Sequence, residues 1–142
     1  MPSLNPYLNF NGNTEEVFNF YKSVFGGEFA TVMRFKDTPP DNKMADSESN
    51  KIMHIALPIG KGNVLMGSDV ADTYPKATYG SGYYISVTAD SEEEARKLFD
   101  GLSQGGNVVM PLEKAFWGAL FSMFTDKYGI QWMISYDYNR PQ

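Results

Sequence analysis

His54 is the only histidine in this chain of 142 residues. Histidine is the residue type that most readily transfers a proton near neutral pH, so any Ser-His-Asp triad would have to include it. The alternating segment from Ile52 to Leu57 predicts a strand with His54 on the same side as Ile52 and Ala56. His54 is therefore either a ligand-facing acid, base or donor, or a hydrogen-bonded residue on a half-buried strand. It is the best catalytic candidate, but no nucleophile is recognisable beside it, so catalytic residues stay unassigned.

Five further residues are candidates for ligand binding. Tyr7 and Asn9 share one face of the first predicted strand and could hydrogen-bond a ligand, since a buried amide needs partners. Ser68 and Asp69 end another predicted strand, where they either present polar groups to a ligand or form a turn. Trp117 lies in a glycine-flanked loop before a strand, and its ring could line or cover a pocket.

Two predicted helices, 78 residues apart, position these candidates. Asn13 and Glu16 form a capping-box pattern at the start of the first helix, and Ser91 and Glu94 form it at the start of the second. Each pattern continues with an apolar stripe at helical spacing and ends at a glycine pair. The stripes are Val17, Phe20, Tyr21, Val24 and Phe25, then Ala95, Leu98, Phe99 and Leu102; the pairs are Gly26-Gly27 and Gly105-Gly106.

Strand patterns of the same order surround each helix. One β-rich segment precedes each helix, another follows each glycine pair, and each half ends in a predicted hairpin that turns at glycine. The sequence therefore predicts an α+β fold of two tandem βαβββ modules. We expect module one at about 4–69, a linker at 70–82 and module two at about 83–138, all within one domain spanning 1–142. Such modules can form a curved mixed sheet around a cavity, with the helices outside.

Composition excludes several classes of protein. The net charge of −5 lacks the basic footprint of a nucleic-acid binder, so we expect no nucleic-acid partner. No apolar stretch reaches the roughly 20 residues of a membrane span, and we expect no membrane partner. The absence of cysteine excludes disulfides, thiolate metal sites and a cysteine nucleophile, and it predicts a cytoplasmic location.

Several short motifs occur together between residue 5 and about residue 136. In this combination the chain resembles the PhnB-like branch of the vicinal oxygen chelate superfamily. That superfamily contains glyoxalase I, the bleomycin and fosfomycin resistance proteins and the extradiol dioxygenases. The motifs are Pro6-Tyr7-Leu8-Asn9-Phe10-Asn11-Gly12-Asn13, Phe25-Gly26-Gly27-Glu28, Met53-His54-Ile55-Ala56-Leu57, Leu65-Met66-Gly67-Ser68-Asp69, Phe116-Trp117-Gly118 and Asp126-Lys127-Tyr128-Gly129-Ile130-Gln131-Trp132.

The resemblance also implies where a metal would bind. Metal-dependent members place His, Gln and Glu ligands on the first and last strands of each module. The matching positions here are near Pro6 and Tyr7, at Met66, near Tyr83, and at Met133 with Gln131 two residues before it. None is a carboxylate or an imidazole, and thioether sulfur is too soft for magnesium, manganese or nickel. We therefore expect neither metal nor cofactor, unless a shifted strand brings in Gln131, Asp69 or His54.

The function that the resemblance implies is binding of a small molecule in the sheet cavity, without the superfamily metal and without turnover. A homodimer is expected, because relatives commonly complete their cavities through a partner. One alternative is a metal-dependent or His54-dependent enzyme of the lyase, isomerase or dioxygenase type. Another is an interaction module whose pocket has collapsed. The predicted ligand-binding residues are Tyr7, Asn9, His54, Ser68, Asp69 and Trp117.

Overall fold

The computed structural model describes residues 2–37 and 46–139. The chain divides into two compact units between Thr78 and Tyr79, inside the predicted linker, and we call them module one and module two. Each described module contains one four-stranded mixed sheet and one long helix in the order βαβββ. The predicted α+β class with tandem modules is therefore confirmed.

Module one has the strand order β1-β4-β3-β2. Strand β1 is parallel to β4, and the other neighbours are antiparallel. The expected hairpin of β3 and β4 is present, and the β-rich segment after Gly26-Gly27 forms the four-residue strand β2. The elements are β1 (Tyr7–Phe10), α1 (Thr14–Phe25), β2 (Thr31–Arg34), a 3₁₀ turn (Phe35–Asp37), α2 (Asp46–Ser49), β3 (Ile52–Ile59) and β4 (Asn63–Asp69).

Module two repeats this arrangement with the strand order β5-β8-β7-β6. Its long helix starts 78 residues after the start of α1 and is also 12 residues long, so the predicted spacing is confirmed. The β-rich segment after Gly105-Gly106 forms the eight-residue strand β6. The elements are β5 (Ile85–Thr88), α3 (Glu92–Ser103), β6 (Asn107–Lys114), β7 (Ala119–Thr125) and β8 (Gln131–Asp137). Within the described ranges, no helix combines the length and apolar character needed to cross a membrane.

The core of module one lies between α1 and one face of its sheet. Phe18 is fully buried and makes edge-to-face contacts with Phe10 and Tyr21. Gly67 lets this ring approach β4, since a Cβ there would lie 2.7 Å from Phe18 Cε1. Phe18 therefore takes the core position that the predicted stripe gave to Phe20, which is half-buried. Burying each large apolar side chain contributes about 1.5–3 kcal/mol to folding.

The core of module two is built from the predicted stripe of α3. Ala95, Leu98 and Leu102 are buried against the sheet, and Phe99 contacts Phe124 edge to face at 5.6 Å. Trp132 is almost fully buried on β8, as its alternation with other apolar residues predicts. The apolar side chains of α3 and of the strands therefore pack together in one layer.

The two long helices start differently. In α3, the Ser91 side chain accepts a hydrogen bond from the Glu94 amide at 3.0 Å, as predicted. In α1, the predicted cap is wrong, because Asn13 makes no side-chain capping bond. Instead, Asp69 Oδ1 accepts bonds from the Thr14 amide at 3.0 Å and the Thr14 hydroxyl at 2.6 Å. A carboxylate from β4 therefore caps a helix that is distant in sequence.

A β-bulge on β3 changes which residues share a face with His54. His54 pairs with Met33, but Arg34 pairs with Ile52, so Met53 is an extra residue on β3. Arg34 bonds Glu15 of α1, which places Arg34 and its partner Ile52 on the helix side of the sheet. The prediction that Ile52 shares a face with His54 is therefore wrong, whereas Ala56 does share it.

We expect Asp69→Asn to destabilise the protein by roughly 2–4 kcal/mol, since buried amides lose a charged acceptor. Asp69 Oδ1 also accepts from the Gly12 amide, and Oδ2 accepts from the Ile52 amide. Urea denaturation would measure this loss. Asp137→Asn is the control, because Asp137 is exposed at the end of β8, and we expect a change of at most about 0.5 kcal/mol. Equal stability of the two variants would refute the role of Asp69.

Candidate functional site

The sheet of module one has a face that points away from α1, which we call the far face of module one. Strand β1 places Tyr7 beside Met66 and Asn9 beside Ser68, and β3 places Ala56 beside Met66. Because cross-strand partners share a face, these side chains lie together. Six residues of the far face make up the candidate site: Tyr7, Asn9, His54, Ala56, Met66 and Ser68. Four of the six predicted ligand-binding residues are therefore brought to one surface.

Tyr7 and His54 form a pair across the far face. The Tyr7 hydroxyl lies 3.2 Å from His54 Nδ1, and the two rings stack with centroids 5.6 Å apart and planes 25° apart. Tyr7 is on β1 and His54 on β3, so the phenol reaches across β4. Tyr7 remains 45% exposed, which leaves its ring accessible. The pair offers an aromatic surface with a hydrogen-bonded imidazole.

Asn9 and Ser68 form the second polar pair on this face. The Ser68 hydroxyl donates to Asn9 Oδ1 at 3.1 Å. This bond fixes the side-chain amide, because its oxygen already has a donor. Asn9 is exposed and Ser68 is half-buried. Both predicted residues therefore contribute to one polar arrangement on the far face.

Asp69 does not join this arrangement. It lies on the helix side of the sheet with 4% exposure, and both of its oxygens accept bonds from Gly12, Thr14 and Ile52. The sequence reading that placed it at a turn comes closer to this geometry than the one that placed it against a ligand. We therefore leave Asp69 out of the candidate site.

Trp117 belongs to module two, in the turn between β6 and β7. It is 53% exposed and contacts Phe121 edge to face at 5.4 Å, with Phe116 on its other side at 5.1 Å. Phe121 pairs with Ser135 on the face of the second sheet that points away from α3. Trp117 thus extends an aromatic surface of module two. Sequence reasoning did not single out Phe121, although alternation along β7 places it on this face.

Three methionines form a row on the same face of module two. Met110 pairs with Met123, and Met123 pairs with Met133. Thioether side chains are flexible and polarisable, so such a row adapts to apolar ligands of different shape. Sequence reasoning missed this row, because the pairing of β6 with β7 contains bulges that no local pattern shows.

The positions at which the superfamily holds metal do not fit a hard divalent ion here. Tyr7 pairs with Met66, and Met133 pairs with Ser86. These side chains supply a phenol, two thioethers and a hydroxyl, and none of them is a carboxylate. His54 Nδ1 is engaged with Tyr7. In residues 2–37 and 46–139, no group of three or more His, Asp or Glu is placed to hold a metal ion.

Gln131, the remaining candidate metal ligand, is held by hydrogen bonds within module two. Its side-chain nitrogen donates to the Tyr83 carbonyl at 2.6 Å, and its backbone amide donates to the Tyr83 hydroxyl at 3.3 Å. Gln131 is 6% exposed. Burial raises the pKa of Tyr83, so its phenol stays protonated to higher pH than usual. Gln131 therefore ties β8 to the chain before β5.

These modules define the class of protein. The model of the glyoxalase/bleomycin resistance protein/dioxygenase superfamily matches residues 3–134, and the chain belongs to this superfamily. Protein YjdN of Escherichia coli (strain K12) is 32% identical, with 97% of each chain covered. Protein PA1353 from Pseudomonas aeruginosa is 41% identical, with a TM-score of 0.85 over 96% of this chain and 98% of that one.

The PhnB-like resemblance is confirmed by a third relative. A PhnB protein from Bacillus cereus, described as a putative 3-demethylubiquinone-9 3-methyltransferase, is 27% identical, with a TM-score of 0.75. The alignment covers 95% of this chain and 99% of that protein. The likeness therefore extends over both modules and includes the strands that carry the far face of module one.

We expect Mn²⁺, Ni²⁺ or Zn²⁺ to leave the thermal midpoint unchanged, because a metal raises it only by binding the native state. Protein without a histidine tag would be analysed for bound metal and then melted with and without each ion. Met66→Glu with Met133→Glu provides a comparison, since both changes supply carboxylate ligands. A stoichiometric ion in the unchanged protein would contradict this expectation.

Proposed function

We propose that this protein binds a small organic molecule on the far face of module one and uses no metal or cofactor to do so. The observation that carries the proposal is the grouping of Tyr7, Asn9, His54 and Ser68 on one face. Their polar atoms form two pairs, and apolar Ala56 and Met66 lie in the same cross-strand row as Tyr7. A few fixed polar groups in an apolar surrounding are what small-molecule sites usually contain.

Binding without turnover is supported by the hydrogen bonds of the site. A nucleophilic hydroxyl would need His54 as its base, but the hydroxyl bonded to His54 is the phenol of Tyr7. The Ser68 hydroxyl donates to Asn9 instead. The arrangement therefore orients polar groups, and no bond joins the Ser68 hydroxyl to His54.

The proposal predicts that Asn9→Ala abolishes ligand binding. A panel of aromatic and heterocyclic compounds would be screened by thermal shift. A ligand at 100 times its Kd stabilises the native state by about 2.7 kcal/mol, which raises the midpoint by roughly 2–4 °C per kcal/mol. Asn9→Ala and His54→Ala should remove most of that shift. Asn19→Ala is the matched control, because Asn19 is an exposed amide on α1 and should leave the shift unchanged.

Three outcomes of this screen would contradict the proposal. If no compound shifts the midpoint, an interaction module with a closed pocket becomes the better reading. If a ligand binds equally well to Asn9→Ala, the site lies elsewhere. If the unchanged protein consumes the ligand and His54→Ala does not, the protein is a His54-dependent enzyme.

The proposal also includes a homodimer, a cytoplasmic location and no nucleic-acid or membrane partner. Strand β6 is one of the two outer strands of its sheet, and Val108, Val109 and Met110 are 43–55% exposed on it. Exposed apolar outer strands readily pair with a second copy. The charge of −5 and the absence of cysteine support the other two parts.

We expect light scattering to give twice the 15.9 kDa mass of the chain. Val109→Lys should give the single-chain mass, because a charge on β6 opposes pairing with a second copy. Val32→Lys on β2, an outer strand of the other sheet, is the control and should remain dimeric. A monomer before any substitution would refute the dimer, and a dimeric Val109→Lys would exclude β6 as the contact.

A further inference from the structure

The contact between Tyr7 and His54 bears on where the imidazole carries its proton. The Tyr7 hydroxyl lies 3.2 Å from Nδ1, and because a phenol is a stronger donor than a neutral imidazole N–H, we expect it to donate to Nδ1. The nitrogen that accepts cannot also carry the proton of the neutral ring, and the proton therefore resides on Nε2. Within residues 2–37 and 46–139, no hydrogen bond is made to Nε2. The imidazole thus keeps one unused donor.

Ser68 acts on Asn9 in the same way. Its hydroxyl donates to Oδ1, and this assigns the oxygen and leaves both N–H groups on Nδ2. The structure gives Nδ2 no hydrogen-bond partner in the described part of the chain. Each pair therefore uses an acceptor internally and leaves a donor unused.

The two unused donors lie in one row of the sheet. Asn9 pairs with Ser68. The β3–β4 pairing ends at Ile55 and Gly67, and His54 and Ser68 are the next residues along these two strands. Asn9 and His54 thus flank Ser68 at about one strand spacing each, roughly 4.8 Å. A ligand oxygen above Ser68 would be within reach of both side chains.

We propose that the far face of module one recognises a carbonyl or carboxylate oxygen through two neutral donors, His54 Nε2–H and Asn9 Nδ2–H, with Tyr7 and Ser68 as positioning residues. This inference rests on the proposed function and adds the chemistry of the ligand. None of the six residues of the far face carries a fixed charge, so neutral and anionic oxygens share the same two contacts. Leaving such donors unpaired under a ligand costs free energy, which favours ligands that supply an acceptor.

Nitrogen-15 NMR tests the positioning by Tyr7 directly, because the untagged chain has one imidazole. In alkaline buffer we expect the Nε2–H tautomer. Tyr7→Phe should shift the ring toward a mixture of tautomers while keeping an aromatic ring at position 7. Tyr74→Phe is the control, because Tyr74 is a 69% exposed tyrosine of the same module. An Nδ1–H tautomer in the unchanged protein, or no response to Tyr7→Phe, would overturn the inference.

Benzoate and acetophenone test the acceptor, with toluene as the probe that lacks one. We expect at least one of the first two to shift the His54 Nε2 and Asn9 side-chain signals saturably, and toluene to bind about tenfold more weakly or not at all. Asn9→Asp keeps the size of the side chain but removes the donors, and it should weaken the bound probe about tenfold. Comparing benzoate with acetophenone separates a carboxylate from a carbonyl ligand. Equal binding of toluene would overturn the inference.

The two proposals fail separately. If compounds from the thermal-shift panel bind through Asn9 and His54 but Tyr7→Phe leaves the tautomer unchanged, this inference fails and the proposed function stands. If the tautomer responds to Tyr7→Phe but His54→Ala and Asn9→Ala bind every active compound normally, the proposed function fails.

Discussion

The carboxylate of Asp69 joins three separated parts of module one: the turn after β1, the start of α1 and the start of β3. It accepts bonds from the Gly12 and Thr14 amides, the Thr14 hydroxyl and the Ile52 amide. Buried amides at these places have no water to bond, so each needs the acceptor. Strands β1 and β3, which carry Tyr7, Asn9 and His54, are therefore held in place from the opposite side of their own sheet.

Module two uses the same topology but places its buried carboxylate elsewhere. Ser91 caps α3 from within the local chain, whereas Asp126 lies in the turn between β7 and β8. There it accepts bonds from the Tyr128 and Ile130 amides and from Trp132 Nε1 at 2.9 Å. In one module a buried acid fixes the helix start, and in the other it fixes a hairpin and a core indole. The duplicated backbone is therefore stabilised by different polar contacts in its two copies.

Much of this fold could be predicted from local patterns. The helices follow from apolar spacing and terminating glycines, and the β7–β8 hairpin follows from two apolar segments around Asp126 to Gly129, because such signals lie within a few residues. The shared face of Tyr7 and Asn9 also follows from strand alternation. The capping of α1 by Asp69 could not be predicted, since its partners lie 55 and 57 residues away in the chain. The face of Ile52 was missed for a related reason: strand alternation assumes that no bulge interrupts it.

The candidate site was predictable as a set of residues but not as a set of bonds. Tyr7, Asn9, His54 and Ser68 were recognised individually, whereas their pairing depends on β4 lying between β1 and β3. That strand order is a long-range property, and it makes Tyr7 reach over β4 to His54. The row of Met110, Met123 and Met133 has the same origin, because it arises only where three strands are in register.

The extra residue at Met53 has a consequence for how this surface can change over time. On an unbroken strand, Ile52 and His54 would point the same way, so either the isoleucine would lose its place in the core or the imidazole would enter it. The bulge removes that conflict and lets the two positions vary independently. Without Met53, Ile52 and His54 would be adjacent on a regular strand and would still point to opposite faces. A shorter strand would therefore preserve both faces, whereas a strand that kept Met53 without the bulge would not.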